Sequence, residues 1–575
     1  MKRNIWTSIL ILLAAFNLQS CLDFEPETQL ADSNYWQKPD HFKLFATQFY
    51  GWTRDFKHLD GTAHSDGRSD LLTGQVLDFY SNGTNTVPSS DKNYTDNYNR
   101  IRQTNILLEK AEAYAIVNDI KTYVGEAKFF RAYCYFDLLQ IFGDVIIVKT
   151  PLDIDSPEMK KARDSRNDVV DFIIEDLNDA IDKLPKHSEI AETDKGRVSK
   201  EAAQAFLSRV ALYEGTWQKF RNEGQQNSER SKNLLNIAAN AANEVIKSGT
   251  FSLFKPSELG DWAYKYLFIL EDEKSNPAGL MKSSNNEYIF SRRHDLVVST
   301  IGFNLTEGRL GNAVYVTRKM ANMYLTSEGL PIDPKTHDYS MMNSEFQNRD
   351  NRMKNTLMEP GEYFWSPGGG RVDWKGGETD KRNAVFKNFK PQKGTGYFPQ
   401  KWCCERDGVP TGNESYDYPI IRYAEALLNY AEAVFERDDK IEDTDLMKSL
   451  NLVRKRVNSK MPDLTNDFVD EHGLSMRTEI RRERTVELFD EGFRMDDLKR
   501  WKTAETEMPM NLLGIKWTGT EYKNAWTSAA GKAKDADGCL IHESGRVWEE
   551  KHYLYPLPTD QLQLNTNLKQ NPGWE

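Results

Sequence analysis

The run Ile101-Arg102-Gln103-Thr104-Asn105-Ile106-Leu107-Leu108-Glu109-Lys110-Ala111 sets Ile101, Asn105, Leu108 and Ala111 at steps of three and four residues. That spacing is one face of an α-helix, which turns every 3.6 residues. The helical pattern extends from Asn97, and a second run continues from Thr122 to Phe142, so two antiparallel helices are expected. Further amphipathic runs follow. Asp168 to Leu184 aligns Val169, Phe172, Ile173, Leu177, Ala180 and Ile181, with Asn167 or Asp168 as the cap and Pro185 as the stop. Ser199 caps a run carrying Ala202, Ala203, Phe206, Val210 and Tyr213, with Gly215 read as its end. Asn233 to Lys247 adds another, ending at Gly249. Paired helices of this length are TPR-like, although the strict signature of that repeat of about 34 residues is not met.

From 251 to 420 the texture changes to a loop-rich stretch with Gly368-Gly369-Gly370, Gly376-Gly377 and scattered Trp and Tyr. Helices return at Arg422, where Leu427, Leu428, Ala431, Val434 and Phe435 share a face. Others are expected at Asp445 to Val457, Met476 to Phe489 and Asp496 to Trp501. The organisation is therefore 1–20, 21–250, 251–420 and 421–575: a leader, the first part of a helical platform, a loop-rich ligand-binding region, and a C-terminal helical part with an irregular tail. The last three form one integrated domain. Insertions on a helical scaffold commonly carry recognition, because the scaffold fixes their ends.

The 575 residues hold 75 Lys and Arg against 87 Asp and Glu, a formal charge of −12. With no basic stripe to release phosphate counterions, no nucleic-acid partner is expected. With 39% hydrophobic residues and no internal apolar run near the ~20 residues of a membrane span, the body is globular.

Lys2 and Arg3, the apolar stretch Ile9 to Phe16, and Leu18-Gln19-Ser20-Cys21 read as a signal peptide ending in a bacterial lipobox. Cys21 is then the lipidated N-terminus, and two or more acyl chains make such an anchor stable. Loss of the charges of Lys2 and Arg3 takes −12 to −14. Among the remaining cysteines, Cys134 falls in a helical pattern and Cys403-Cys404 are adjacent. No zinc spacing or disulfide framework is visible, although export permits a bridge to Cys539.

Several blocks together resemble the SusD/RagB family of outer-membrane nutrient-binding lipoproteins. Gly125-Glu126-Ala127-Lys128-Phe129-Phe130-Arg131-Ala132-Tyr133 with Phe142-Gly143-Asp144-Val145 is similar to a first signature, and Gly196-Arg197-Val198 with Arg209-Val210-Ala211-Leu212-Tyr213 to a second. Arg422-Tyr423-Ala424-Glu425-Ala426-Leu427-Leu428-Asn429-Tyr430-Ala431-Glu432-Ala433 resembles a third. Arg482-Glu483-Arg484 through Asp497-Leu498-Lys499-Arg500-Trp501 resembles a fourth. Tyr555-Pro556-Leu557-Pro558 and Gln570-Asn571-Pro572-Gly573-Trp574 match the family's C-terminus, whereas Ile146 and Asn322 depart from its usual Pro and Asp. The resemblance implies a mostly α fold, a TPR-like helical-hairpin platform with an inserted loop-rich ligand-binding subdomain. It also implies a non-enzymatic lipoprotein on the outer membrane, facing out, consistent with Asp23, Glu25 and Glu27 after Cys21. Its ligand would be an oligosaccharide or polysaccharide, or alternatively a peptide, and its partner a SusC-like TonB-dependent transporter.

The residues agree with a binding protein. No G-x-S-x-G, H-E-x-x-H or P-loop motif occurs, and no cofactor or metal is expected. Glu483, Glu487 and Glu491 fall at i, i+4 and i+8, a stripe that does not face itself across a cleft as a glycosidase requires. Flanked by Arg482, Arg484 and Arg494, they read as an ion-paired helix, as do Glu126 and Arg131. Asp535, Asp537 and Gly538 miss the register of a calcium loop, and Asp60, Asp66 and Asp70 read as turn residues able to accept hydrogen bonds from sugar hydroxyls. Glycan capture needs flat apolar faces and short polar groups on loops. Asp66, Tyr80 beside Phe79, Trp262, Tyr266, Trp365, Arg371, Trp374 and Tyr397 meet that filter.

Overall fold

The computed structural model describes residues 35–59, 61–221, 228–309, 314–364, 387–404 and 414–575. The platform begins with α1 (Pro39–Thr47), α2 (Lys92–Glu112), α3 (Val117–Phe142), α4 (Arg166–Lys183), α5 (Lys200–Lys219) and α6 (Glu229–Lys247). It resumes at α7 (Tyr423–Asp438), α8 (Met476–Glu487) and α9 (Arg494–Arg500). Each helix from α2 to α7 packs on the next, and α8 packs on α7, the nearest-neighbour stacking of a helical-repeat scaffold. Because α7 docks directly on α6, residues 248–422 are inserted between two successive members of the stack.

Local chemistry accounts for the helix ends. Ser199 caps α5 through a bond from Ala202 N at 3.1 Å, as its sequence implies. The cap of α4 is Ser165, which accepts from Asp168 N, and not Asn167 or Asp168, which lie inside the first turn. Such caps contribute about 1 kcal/mol each. Gly215 does not end α5. It sits within the helix, where a Cβ would lie 2.9 Å from Leu235 Cγ of α6, so the residue serves close packing and not termination.

Eight short strands form four antiparallel pairs among the described residues. β1 (Leu72–Gly74) pairs with β3 (Val314–Val316), and β2 (Tyr288–Arg292) with β6 (Tyr418–Arg422). β4 (Tyr363–Phe364) pairs with β5 (Lys387–Asn388), and β7 (Leu512–Lys516) with β8 (Cys539–Glu543). The large core runs through the platform, while a second core gathers Leu71, Leu72, Val316, Tyr324, Tyr397, Ile515, Trp526 and Leu540. Among the described residues this loop-rich body thus draws on 71–74, 314–364, 387–398 and 512–543, and not on 251–420 alone.

The acidic stripe anchors this body to the platform. Glu487 is met by Arg422 and Arg456 at 2.7 and 3.0 Å, Glu483 by Arg352 at 2.5 Å, and Glu491 by Arg422 and Lys401 at 2.7 Å each. The partners are therefore remote, and not Arg482, Arg484 and Arg494, which pair with Glu479, Asp497 and Asp70. Glu126 likewise pairs with Arg197, and Arg131 with Asp176. Burial raises the Glu487 pKa, yet Arg456, Arg422 and Arg352 outweigh it and hold the carboxylate at about 2. Buried and neutralised, this stripe has no role open to a general acid or base.

Candidate functional site

After β1 the chain enters a loop whose base is fixed at many points. The Asp78 carboxylate accepts the N–H groups of Tyr80 and Ser81 at 2.9 Å each, and the Phe79 carbonyl accepts those of Thr84 and Asn85 at 2.9 and 3.1 Å. Arg546, buried behind the loop, donates through Nη2 to Ser69 O, Ser81 O and Ser81 Oγ. Gly83 has φ +76°, and a Cβ there would fall 2.1 Å from the Val547 carbonyl oxygen, so only glycine fits. Tyr80 stacks on Tyr555 with centroids 4.6 Å apart, and the Arg68 guanidinium lies 4.1 Å from the Tyr80 ring centroid while donating to Tyr555 Oη. On this rigid base Val76, Leu77 and Phe79 stand 82%, 53% and 65% exposed. Of the aromatic pair singled out by sequence, Phe79 faces solvent and Tyr80 is spent on packing.

Beside the loop lies an open cleft of about 460 Å³ bordered by Gln75, Tyr315, Lys393, Gly394, Lys532 and His542. Tyr315 arrives opposite Thr73 in the β1–β3 pair, and its ring meets that of His542 edge-on at 5.8 Å. His542 Nε2 bonds the Gly74 carbonyl at 3.2 Å, which assigns that nitrogen the proton. Burial lowers the imidazole pKa, the Gly74 bond opposes this, and the nearby Lys532 charge lowers it further. Gly394, with φ +54°, runs across the Tyr315 ring so closely that a Cβ would come within 2.4 Å of Cγ. The turn is held by Ile515 N donating to Thr395 O at 2.8 Å and by Thr395 Oγ1 donating to Val316 O at 2.6 Å. A second opening, of about 270 Å³, lies along β7 and mixes Arg318, Lys319 and Lys516 with Glu507, Asp535 and Asp537.

The structure disperses the other residues nominated by sequence. Asp66 is 1% exposed and accepts from Asp490 N and Arg494 N at 2.7 and 3.0 Å. Burial pushes its carboxyl up to about 6 against the pull of those two N–H groups. Tyr266 is 5% exposed, and Tyr397 is 2% exposed with its hydroxyl donating to Glu345 and accepting from Arg318. None of these three offers a face to a ligand. Trp262 is 38% exposed, but Lys354 and Lys265 lie 5.1 and 5.7 Å from its ring. Trp365, Arg371 and Trp374, in the chain between β4 and β5, lie outside the described residues, and so does Cys21 near the N-terminus. Gln75, Tyr315, Lys393, Lys532 and His542 border the cleft instead, and none of them was nominated; Phe79, next to the nominated Tyr80, stands exposed on the loop that Gln75 begins.

Cys134, Cys403, Cys404 and Cys539 are buried and form no disulfide with one another, so the bridge to Cys539 that export would permit is not made with any of them. No group of three or more His, Cys, Asp or Glu among the described residues is arranged to hold a metal ion. Asp535 instead closes a turn by accepting from Asp537 N and Cys539 N. No helix among the described residues is long and apolar enough to cross a membrane.

A family model described as the SusD family matches residues 269–574, and another, described as starch-binding associating with outer membrane, matches 56–212. A SusD-like protein of Bacteroides ovatus is 25% identical over 461 residues, which cover 78% of this chain and 73% of that protein. The solved structure of a SusD-like protein from Bacteroides fragilis superposes with a TM-score of 0.71 at 22% identity, covering 94% of this chain and 98% of that one. That of a SusD-like carbohydrate binding protein from the same organism gives 0.70 at 21% identity, covering 93% and 99%.

Proposed function

Because this chain belongs to the SusD family, we propose that it is a cell-surface glycan-binding lipoprotein that captures an oligosaccharide or polysaccharide and passes it to a SusC-like TonB-dependent transporter. In this reading Cys21 carries the lipid, the protein sits on the outer membrane facing out, and no bond of the ligand is broken. One observation carries the assignment: the cleft between Tyr315 and His542 is framed by two strand pairs, β1–β3 and β7–β8, and is entered by Gln75 from the loop that leaves Phe79 exposed. A solved relative of the same fold is described as carbohydrate binding, which agrees with this use of the fold.

The chemistry suits a sugar. A pyranose or furanose lays its C–H face on an aromatic ring, which buries area at small entropic cost. Gln75 supplies an amide that both donates and accepts, and His542 Nδ1, left without the proton that Nε2 holds, accepts from a hydroxyl. The volume falls within the range of about 300–1,000 Å³ typical of small-molecule sites. Calorimetric titration of the purified protein against soluble polysaccharides, their oligosaccharides and a mixed peptide digest tests the reading. Heat from one glycan family supports it, and heat from the digest alone replaces it with peptide capture.

A further inference from the structure

Behind the base of the loop that carries Phe79, the rings of Tyr80 and Tyr555 and the side chains of Arg68, Lys499, Trp548 and His552 border a small cavity of about 10 Å³. It has room for one species on the scale of a water or a halide ion. We propose that this cavity binds a halide-sized anion, chloride in ordinary saline, on the N–H donors of Trp548, His552 and Lys499. The site is separate from the cleft and does not depend on what the cleft captures.

The donors are defined by their other bonds. Glu549 N donates to His552 Nδ1 at 2.8 Å, so the proton of the neutral ring stands on Nε2. Burial and the Lys551 charge, against Glu549, hold this imidazole below the ordinary 6.5, which keeps it neutral at pH 7. His552 is 6% exposed, and its Nε2 has no hydrogen-bond partner in the protein. The buried Nε1 of Trp548 has none either, and an indole N–H can only donate. The two rings lie 5.6 Å apart, centroid to centroid. Buried polar groups are rarely left unpaired, so two such donors bordering one cavity call for an acceptor inside it. Lys499 of α9, 2% exposed, adds an ammonium whose Nζ lies 5.0 Å from the Tyr555 ring centroid. Burial, with Arg68, Arg221 and Arg166 adding to it and Asp496 opposing, brings its pKa down to about 8. A water accepts two hydrogen bonds and brings two protons that need acceptors of their own. A halide accepts from all three donors and offsets the crowded positive charge. Tyr80, Arg68 and Tyr555 are also the base of the exposed loop, so the ion braces that loop from behind.

The test is crystallographic, on wild-type protein crystallised without chloride and soaked in sodium bromide, with diffraction measured at the bromine absorption edge. The expected result is an anomalous peak within hydrogen-bonding reach of Trp548 Nε1, His552 Nε2 and Lys499 Nζ. Density there without anomalous signal means water and overturns the proposal. Anomalous peaks on the outer surface alone mean an adventitious ion only, and overturn it equally. In solution, melting of the full chain is compared in sodium chloride and sodium gluconate at one ionic strength, for wild type and for Trp548→Phe, which keeps a ring and drops the N–H. Chloride is expected to raise the wild-type melting temperature by about 1–2 °C and to leave the variant unmoved. A chloride shift that the variant retains in full places the ion elsewhere and overturns the assignment.

Discussion

Arg422 grips Glu491 through both Nε and Nη2 at 2.7 Å each, fastening the last residue of β6 to the turn after α8. The same guanidinium reaches Glu287 and Glu487 from Nη1, at 2.9 and 2.7 Å. One side chain thereby ties the inserted body, through β2 and β6, to the platform.

Removing this arginine takes one cation from three buried carboxylates, leaving Arg456 to Glu287 and Glu487 and Lys401 to Glu491. Arg422→Gln is expected to cost about 3–5 kcal/mol of stability, the range for breaking one side of a buried ion pair. Urea denaturation measures it. A loss below about 1 kcal/mol would show that the network adds nothing to the docking of the two bodies.

His64 gives a pH dependence. Its Nδ1 and Nε2 lie 2.7 and 2.9 Å from Asp496 and Asp137, and only imidazolium can donate to both. Burial and Arg54 lower its pKa, but Asp496 and Asp137 outweigh them and hold it above the ordinary 6.5. A pKa raised on folding stabilises fully below the unfolded value, and the gain is lost as pH rises through the folded value. The stability advantage of wild type over His64→Gln should therefore be full at acid pH and shrink as pH rises above the ordinary 6.5, as read from urea midpoints. An advantage that grows with pH would contradict the arrangement.

Gly215 tests helix packing. Alanine favours helices over glycine by about 1 kcal/mol, yet its Cβ would press on Leu235 Cγ, Cδ2 and backbone N at 2.9–3.2 Å. Gly215→Ala is expected to destabilise by about 1–2 kcal/mol, overpacking outweighing propensity. A stabilised variant would mean that α5 and α6 stand further apart.

The adjacent aromatics Phe79 and Tyr80 should separate cleanly. Phe79→Ala is expected to lower glycan affinity about tenfold, or ~1.4 kcal/mol, without changing the melting temperature. Tyr80→Ala removes the partner of Tyr555 and Arg68 and should lower the melting temperature. Titration and thermal melts of both variants decide this. The reverse pattern would move the contact to Tyr80.

Much of the platform was legible because its cues are local. Ser199 lies next to the run it caps, and the faces of α2 to α6 repeat within single segments. Gly215 misled because a glycine that ends a helix and one that admits a neighbouring helix look alike in sequence. The acidic stripe was rightly read as ion-paired, but its partners Arg352 and Arg422 lie 131 and 69 residues away from Glu483 and Glu491 and carry no local mark. The cleft was least legible for the same reason. Gln75, Tyr315, Lys393 and His542 come from four segments joined only by strand pairing and turns, while Asp66, Tyr266 and Tyr397 have the composition of loop contacts and are buried by distant packing.

The central claim is that glycan is captured at the cleft beside β1, β3 and β8. Hydrogen exchange of the protein with and without a bound glycan measures that footprint directly. The account predicts added protection in 72–80, 314–316, 393–395 and 539–543, with the platform helices unchanged. Protection confined to the groove between α4 and α6, bordered by Ile174, Arg230 and Ile237, would contradict it.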